Sequence, residues 1–266
     1  MCHCNPTGAN LSQYAQQLLQ GMQLSEARIR HVRPLLTIRS FDEGALIWVR
    51  GRNVQAWNCV ITGYVAAAMP LEGGRRMPLH LYGSHAWFGE QALVDGQPSD
   101  LDYICLTPVE VIGMSQACMK ESMQKEPDFS EALVQLMARR ARQHTAMLAV
   151  MRTGCTSLRL VMGLAQFAQA QSLQATERAS DGDAVDIPIG QEQIAALCGV
   201  SRTLFSTGLQ DLVKAGWVKV RYGAMELQSA QAWRVFAQRQ RDSAGLNSRP
   251  SMEELISALA HARASG

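Results

Sequence analysis

The sequence lacks long apolar runs, and its few charges are nearly balanced. Charged residues make up 18% of the chain and the formal net charge is +2 at pH 7, so bulk charge does not by itself indicate a nucleic-acid partner. No apolar run reaches membrane-spanning length. The start, MCHCNPTGAN, has neither the basic residues nor the apolar core of a secretory signal. These features predict a cytoplasmic protein without a membrane partner.

A disulfide or zinc-binding cysteine pattern is also missing. The seven cysteines are an odd number at irregular spacings, which favours reduced thiols. The spacing of Cys2, His3 and Cys4 is not that of a structural zinc site, so we predict no metal. Cys105, Cys118 and Cys155 are interpreted as small buried apolar groups rather than redox switches.

Motifs for catalysis are absent as well. The sequence contains no nucleophile and base pair, no metal-ligand motif and no phosphate-binding loop, and these are the patterns by which most enzymes are identified. We therefore expect a protein that is not an enzyme.

The chain of 266 residues is long enough for two domains. Between Phe41 and Met114, short apolar stretches alternate with glycines, which is typical of strands joined by tight turns. This region is predicted to form an antiparallel barrel or sandwich. The apolar stretches are Ala45 to Val49, Val60 to Met69, Met77 to Tyr82 and Val109 to Met114.

Beyond Glu126 the sequence changes to good helix formers. Within this stretch a row of residues alternates spacings of three and four, which is a coiled-coil seam. The seam predicts a partner helix, most simply from a second subunit; the alternative is a helix packed on its own domain. The seam consists of Val134, Met137, Ala141, His144, Leu148 and Met151, and it continues to Cys155.

Three further segments follow outside the main motif. A helix is predicted from Ser157 to about Ser172, with Ala175 to Asp183 as a loop. A short helix is predicted from Ser251 to Ala262, and no function is assigned to that tail.

The segment from Ile187 to Val220 predicts a helix-turn-helix. Gln191 to Cys198 forms its first helix, with Ile194, Ala195 and Leu197 turned inward, and Gly199 can adopt the left-handed conformation that ends a helix. Ser201 then caps the second helix. The inner face of that helix is predicted to contain Leu204, Leu209, Leu212 and Val213.

The outer face of the second helix carries the predicted DNA contacts. A second helix crossed on the first can enter the major groove, where the Arg202 guanidinium can bind guanine O6 and N7 together. Trp217 to Arg221 and Ala224 to Leu227 are predicted to form a wing hairpin. The alternative is a winged domain that contacts protein. The predicted DNA-binding residues are Gln191, Ser201, Arg202, Thr203, Ser206 and Thr207.

With these motifs the sequence resembles the Crp/Fnr superfamily of bacterial transcription regulators over about residues 20 to 236. The resemblance is carried by the glycine-punctuated strands, by WFGEQAL at 87 to 93, by EPDFSEALVQLMARRARQH at 126 to 144 and by GVSRTLFSTGLQDLVKAGWVKV at 199 to 220. Their order and spacing agree with the family throughout.

The resemblance implies an α+β fold and a homodimer that binds near-palindromic double-stranded DNA, with RNA polymerase as a further partner. The implied organisation is an N-terminal segment (1–20), a cyclic-nucleotide-binding-like β-roll (21–125), a long dimerisation helix (126–155), a winged helix-turn-helix domain (156–236) and a C-terminal tail (237–266). Ser201 and Arg202 match the family's Ser-Arg start of the recognition helix. Thr203 and Thr207 replace a glutamate and an arginine of many members, so the family's best-known operator is not implied.

The resemblance also places an effector pocket in the roll. Gly89 and Glu90 match the start of the family's phosphate cassette, but its arginine is missing from DGQPSDLD at 95–102, which includes Ser99. Without that cation a bound phosphate loses its charge-assisted partner, which argues against cyclic AMP unless Arg75 or Arg76 substitutes. His144 and Thr145 lie where nucleotide-binding members place ligand-facing hydroxyls.

The effector and its output remain open from the sequence. For His144 the alternatives are packing, titration, and ligation of a metal or haem iron. The competing hypothesis for the whole chain is a signalling module that binds a cyclic nucleotide, haem or a redox signal, and whose winged domain contacts protein rather than DNA.

Overall fold

The computed structural model describes residues 8–170, 183–242 and 249–264. An N-terminal β-rich part, a long central helix and a C-terminal helical part with a small sheet follow one another along the chain, so the predicted α+β class is confirmed. Among the residues described, no helix has the length and apolar character needed to cross a membrane.

The N-terminal part is a roll of two antiparallel four-stranded sheets. Their strand orders are β1-β8-β3-β6 and β2-β7-β4-β5. Apolar side chains from both sheets, including Val60, Val65 and Val111, form one core between them. The strands are β1 (Thr37–Phe41), β2 (Leu46–Trp48), β3 (Ala56–Thr62), β4 (Val65–Pro70), β5 (Arg76–Tyr82), β6 (Trp87–Phe88), β7 (Asp102–Cys105) and β8 (Val109–Ser115).

The strand prediction was correct for β2, β4, β5 and β8, included the second half of β3, and missed β1, β6 and β7. The stretch from Val60 to Met69 is divided between β3 and β4 by a turn at Gly63, whose φ is +86°. A Cβ on Gly63 would lie 2.3 Å from the Pro108 carbonyl oxygen, so only glycine fits this turn. β1, β6 and β7 were not predicted, because they are short or carry polar residues.

Helices surround the roll on its outer side. Helix α1 (Gly8–Gly21) and helix α2 (Glu26–Val32) bury Leu18, Leu19 and Ile29 against the roll. The sequence pattern predicted no element in this region. α3 (Glu90–Asp95) and α4 (Gln116–Lys125) complete this part. Cys2, His3 and Cys4 lie outside the described residues.

The central helix α5 runs over Pro127–Thr153. Proline suits its first turn because no intrahelical donor is needed there. Phe129 and Leu133 anchor this end of the helix in the core beneath the roll. Further along, Val134 and Leu148 are 64% and 58% exposed, and Ala141 between them is also exposed. The three lie seven residues apart, so a single apolar row faces solvent in the isolated subunit.

The C-terminal part holds a helix-turn-helix, a three-stranded sheet of order β10-β11-β9 and two terminal helices. The predicted tail helix is confirmed, and α10 packs on α9 and α6. The predicted loop from Ala175 lies outside the described residues up to position 182. The elements are α6 (Thr156–Ala170), β9 (Ala184–Ile187), α7 (Gln191–Leu197), α8 (Arg202–Lys214), β10 (Val218–Arg221), β11 (Ala224–Gln228), α9 (Ala230–Asp242) and α10 (Met252–Ala264).

Candidate nucleic-acid interface and effector pocket

The helix-turn-helix consists of α7 and α8 joined at Gly199. Gly199 has a φ of +63°, and the Ser201 hydroxyl accepts a hydrogen bond from the Leu204 amide at 3.3 Å. Both were predicted. The inward residues of α7 are buried as expected: Ile194, Ala195 and Leu197. Together these features fix the position at which α8 begins.

The prediction for the inner face of α8 was wrong in part. Phe205, Leu209 and Leu212 are buried, whereas Leu204 is 51% and Val213 is 40% exposed. Positions 205, 209 and 212 recur at spacings of four and three and therefore form one helical stripe. Leu204 lies about 100° away from Phe205 around the helix, which removes it from the stripe.

The outer face of α8 holds the predicted base-contacting side chains. Arg202, Thr203 and Thr207 are exposed and Ser206 is half-buried. The Thr207 hydroxyl donates to the Thr203 carbonyl at 3.1 Å, so its proton is occupied within the helix. Arg202 is consequently the strongest side-chain donor on this face. Of the remaining predicted residues, Ser201 is exposed at the cap and Gln191 is half-buried at the start of α7.

Two glycines allow α6 and α10 to pack closely against the helix-turn-helix. A Cβ on Gly208 would lie 2.8 Å from Leu160 of α6 and 3.1 Å from Met252 of α10. Similarly, a Cβ on Gly163 of α6 would lie 2.3 Å from the Cys198 sulfur. α8 therefore packs closely on α6 and on the tail helix α10.

The hairpin of β10 and β11 forms the predicted wing. The side chain of Tyr222 at its tip is fully exposed. Lys219 and Arg221 both pair with Glu226. The hydrogen bond from Gln228 and these two cations lower the pKa of the Glu226 carboxyl. Lys219 and Arg221 on β10 are therefore partly neutralised by Glu226 on β11.

Inside the roll, a buried ion pair joins the long helix to the predicted pocket. Arg140 of α5 donates to both the Glu90 carboxylate and the Trp87 carbonyl, and the Trp57 indole donates to Glu90 at 3.3 Å. Glu90 is 2% and Arg140 is 7% exposed. Arg140 was not among the predicted site residues; it directly precedes Ala141 on α5 and so lies about 100° around the helix from the exposed row.

Comparison with known proteins yields two family models on this chain. A cyclic nucleotide-binding domain matches residues 38–126, and a Crp-like helix-turn-helix domain matches residues 159–232. Together the two spans cover more than half of the chain. This chain belongs to the Crp/Fnr superfamily.

This Crp/Fnr protein is similar to regulators of several bacteria. A CRP-like cAMP-activated global transcriptional regulator of Mycobacterium tuberculosis is 26% identical over 68% of this chain and 79% of its own. The cyclic AMP receptor protein of Thermus thermophilus is 25% identical over 72% of this chain and 84% of its own. The structure of FixK2 from Bradyrhizobium japonicum superposes with a TM-score of 0.62 at 16% identity, covering 79% of this chain and 99% of its own.

Membership in the superfamily makes this chain a DNA-binding transcription regulator. The family is one of regulators and not an enzyme class. Among the residues that the structure describes, no group of three or more His, Cys, Asp and Glu side chains could hold a metal ion.

Aromatic side chains fill the interior of the roll in this Crp/Fnr protein. The Tyr82, Phe88 and Tyr103 rings pack together, with centroids 5.4 Å apart for Tyr82 and Phe88 and 5.3 Å apart for Phe88 and Tyr103. Burial raises the pKa of Tyr82 to about 12. The Arg140 guanidinium also lies 5.1 Å from the Tyr82 ring centroid, so this cluster extends to the buried ion pair.

The residues at the predicted phosphate end of the pocket bond to one another. Ser99 is buried, but its hydroxyl donates to the Leu101 carbonyl at 2.7 Å. Arg76, which the sequence offered as a substitute cation, pairs with the buried Asp102 at 2.7 Å, and Asp102 also accepts from the Arg50 amide at 2.9 Å. Arg75 is exposed. The Arg76 guanidinium and the Asp102 carboxylate therefore bind each other.

The predicted ligand-facing residues on α5 differ in their surroundings. The His144 ring meets His80 of β5 edge-on at 5.0 Å. Desolvation, Arg140 and His144 together lower the pKa of His80 to about 3, and desolvation and Arg140 also lower the pKa of His144. The Thr145 hydroxyl donates back to the Ala141 carbonyl at 2.9 Å. Gly89, the residue before α3, has a φ of +92°.

The cysteine thiols of the described residues are mostly buried. Burial raises the pKa of Cys105 to about 11 and raises those of Cys59, Cys118 and Cys198. A thiol held protonated reacts slowly. Cys155 is half-buried, and its thiol lies 3.4 Å from the Pro250 carbonyl at the start of the tail. These sites are consistent with packing roles.

The long helix touches the helix-turn-helix directly, and this contact yields a prediction. A Cβ on Gly199 would lie 2.8 Å from the Met151 sulfur, so Gly199→Ala adds a clash to the left-handed backbone cost of about 1–2 kcal/mol. Gly216 has a φ of +77° with nothing within 4 Å of its Cβ position. Gly216→Ala therefore adds only the cost of the left-handed backbone. Urea unfolding should find Gly199→Ala less stable than Gly216→Ala.

The contact itself is tested by a second substitution. In a Met151→Ala background, Gly199→Ala should lower the free energy of unfolding by about as much as Gly216→Ala lowers it in the wild-type protein. An undiminished difference in the Met151→Ala background would locate the strain elsewhere.

Proposed function

We propose that this protein acts as a homodimer on near-palindromic DNA, with one α8 in the major groove of each half-site. The observation that carries this proposal is the outer face of α8, where Arg202 is exposed at the first turn. A guanidinium in that place can bind guanine O6 and N7 together. In a two-fold dimer the half-sites lie about 34–36 Å apart, one turn of duplex.

The apolar row on α5 supports the dimer. Val134, Ala141 and Leu148 recur every seven residues and are exposed in the isolated subunit, as expected for a parallel pair of helices. His144 and Met151 flank the same seam, and Met151 also contacts Gly199. We infer that pairing through α5 sets the separation of the two recognition helices. The predicted domain limits at 125, 155 and 236 are part of this proposal.

We further propose that DNA binding does not require cyclic AMP, although two of the relatives are described by that ligand. The support is the packed aromatic interior beside Glu90 and the Arg76–Asp102 pair, which leave the roll without a fitted phosphate cation. RNA polymerase is a further protein partner that the family resemblance suggests.

The main experiment selects bound fragments from random duplexes with the purified protein. We expect a near-palindromic site, bound at least about a thousandfold more tightly than random DNA at physiological salt, with an affinity that falls steeply as salt is raised. Equal affinity for the selected site and for random competitor would reject the proposal. That outcome would favour the alternative in which the winged domain contacts protein.

Cyclic AMP provides a separate prediction. A ligand shifts DNA affinity only if it binds one arrangement of the dimer more tightly than the other. Fluorescence anisotropy on the selected site should therefore give the same dissociation constant, within about twofold, with and without millimolar cyclic AMP. A large increase in affinity at constant salt would overturn the argument from the roll. An absorption spectrum of the purified protein tests for haem.

A further inference from the structure

The exposed face of α8 combines one cation with a cluster of apolar groups. Arg202 is the cation, and beside it Thr203, Leu204 and Thr207 are all exposed. Residues three and four apart on a helix are neighbours on its surface, so Thr203 and Leu204 both lie beside Thr207. We call Thr203, Leu204 and Thr207 the methyl patch, because each of these side chains carries methyl groups.

Leu204 lies outside the core of the winged domain. Its side chain is 51% exposed, whereas Phe205, Leu209 and Leu212 are the residues that α8 buries. A single apolar side chain on a surface needs no special explanation. Leu204, however, follows Arg202 by two residues, in the first turn of a helix whose first residues contact base edges in this kind of motif. Its apolar surface is therefore available in the groove.

The hydroxyl of Thr207 is engaged within the helix. It donates to the Thr203 carbonyl oxygen at 3.1 Å, and a hydrogen bond of this kind selects the rotamer about the Cα–Cβ bond. The hydroxyl proton is then not available to an acceptor on a base edge. The methyl group remains as the part of the exposed Thr207 side chain that can contact a base.

We propose that the methyl patch reads the 5-methyl groups of thymines beside the guanine that Arg202 contacts. The thymine methyl is the apolar group that base pairs present in the major groove, and apolar side-chain atoms, including the threonine methyl, recognise it by contact. This inference rests on the proposed function and specifies which bases the recognition helix prefers. It gives the methyl patch a role in specificity that does not depend on hydrogen bonds.

The dimensions of the methyl patch set the number of thymines that it can contact. Thr203 and Thr207 are four residues apart in the sequence, which corresponds to about 6 Å along a helix axis. Successive bases of one strand are about 3.4 Å apart along the duplex, so the patch spans about two base-pair steps. Each half-site should therefore contain one or two thymines within about three base pairs of the guanine.

The experiment replaces each thymine of the selected duplex, one at a time, by deoxyuridine. This removes the 5-methyl group and leaves the Watson–Crick pair intact. Burial of one methyl group corresponds to about a fourfold change in affinity. Fluorescence anisotropy at constant salt should find one or two positions per half-site at which deoxyuridine weakens binding about fourfold, and about tenfold or more when both half-sites are changed.

Substitutions in the methyl patch connect the sensitive thymines to particular side chains. Thr207→Ser removes the methyl group and keeps the hydroxyl, whereas Thr207→Val removes the hydroxyl and keeps methyl groups. The penalty for deoxyuridine at one position should fall below about twofold in Thr207→Ser and should persist in Thr207→Val. Leu204→Ala should also abolish the penalty at one position. Affinity for random duplex should change little in these variants, which separates loss of base contact from loss of folding.

The matched control is Val213→Ala. Val213 is also an exposed apolar residue of α8, at 40%, but it lies near the C-terminal end of the helix, so this variant should keep the full penalty. A selected site without thymine near the guanine, a site insensitive to deoxyuridine, or penalties unaltered in both Thr207→Ser and Leu204→Ala would each overturn the inference and leave the proposed function standing. Equal affinity for the selected site and for random duplex would instead reject the proposed function, and this inference with it.

Discussion

Leu148→Asp is expected to convert the protein into a monomer. Leu148 is 58% exposed and belongs to the apolar row on α5, so in a two-fold dimer both copies meet at the same seam. The change removes two apolar contacts and places two carboxylates together in a desolvated interface. The cost should exceed about 4 kcal/mol for the pair, which raises the dimer dissociation constant about a thousandfold. Sedimentation equilibrium measures that constant.

The matched control for this change is Leu35→Asp. Leu35 is 51% exposed but lies in the turn after α2, away from the seam, so this variant should remain a dimer. Circular dichroism should find both variants folded. A dimer that survives Leu148→Asp with its original dissociation constant would exclude the α5 seam as the interface. If α5 forms the dimer interface, the monomeric variant should also bind DNA more weakly, since a monomer occupies only one half-site.

Arg202→Ala is expected to weaken specific DNA binding and to relax preference at one base position in each half-site. A bidentate contact from guanidinium to guanine contributes about 1–3 kcal/mol of discrimination, and a symmetric dimer loses it twice. The affinity for the selected site should therefore fall about 30-fold or more, while affinity for random duplex falls much less. Anisotropy titrations on a panel of sites with single base changes measure both quantities.

The control separates base contact from loss of charge. Arg30→Gln removes one positive charge from an exposed position on α2, and it should leave both the affinity and the base preference unaltered. The direct evidence is the pattern on the substituted sites: with Arg202→Ala, one position per half-site should become indifferent. Unchanged preference at every position would assign base contact to other residues of α8.

Local features of the helix-turn-helix were predictable because neighbouring residues determine them. The left-handed conformation at Gly199 and the Ser201 cap depend on the chemistry of a few adjacent residues. The seam on α5 is a matter of spacing alone. The face of α8 was harder: Leu204 and Phe205 are adjacent and both apolar, and only packing against α6 decides which of them is buried.

Most of the effector region could not be predicted, because its contacts join distant positions. Arg140 and Glu90 are 50 residues apart, and Arg76 and Asp102 are 26 apart. The missing cassette arginine was visible in the sequence, but the Tyr82, Phe88 and Tyr103 cluster was not. α1 was not predicted because its apolar residues are buried only by the surface of the roll, which is distant in the sequence.

The sequence by itself determined the order of the roll, long helix and winged helix-turn-helix, together with the arginine that begins the recognition helix. Periodicity, capping residues and glycines belong to short segments of sequence, so they can be recognised without knowing which surface the segment packs against. The tertiary structure alone decided which charges neutralise each other and which side chains fill the roll. Those properties depend on distances between residues far apart in the chain, which folding sets and composition does not.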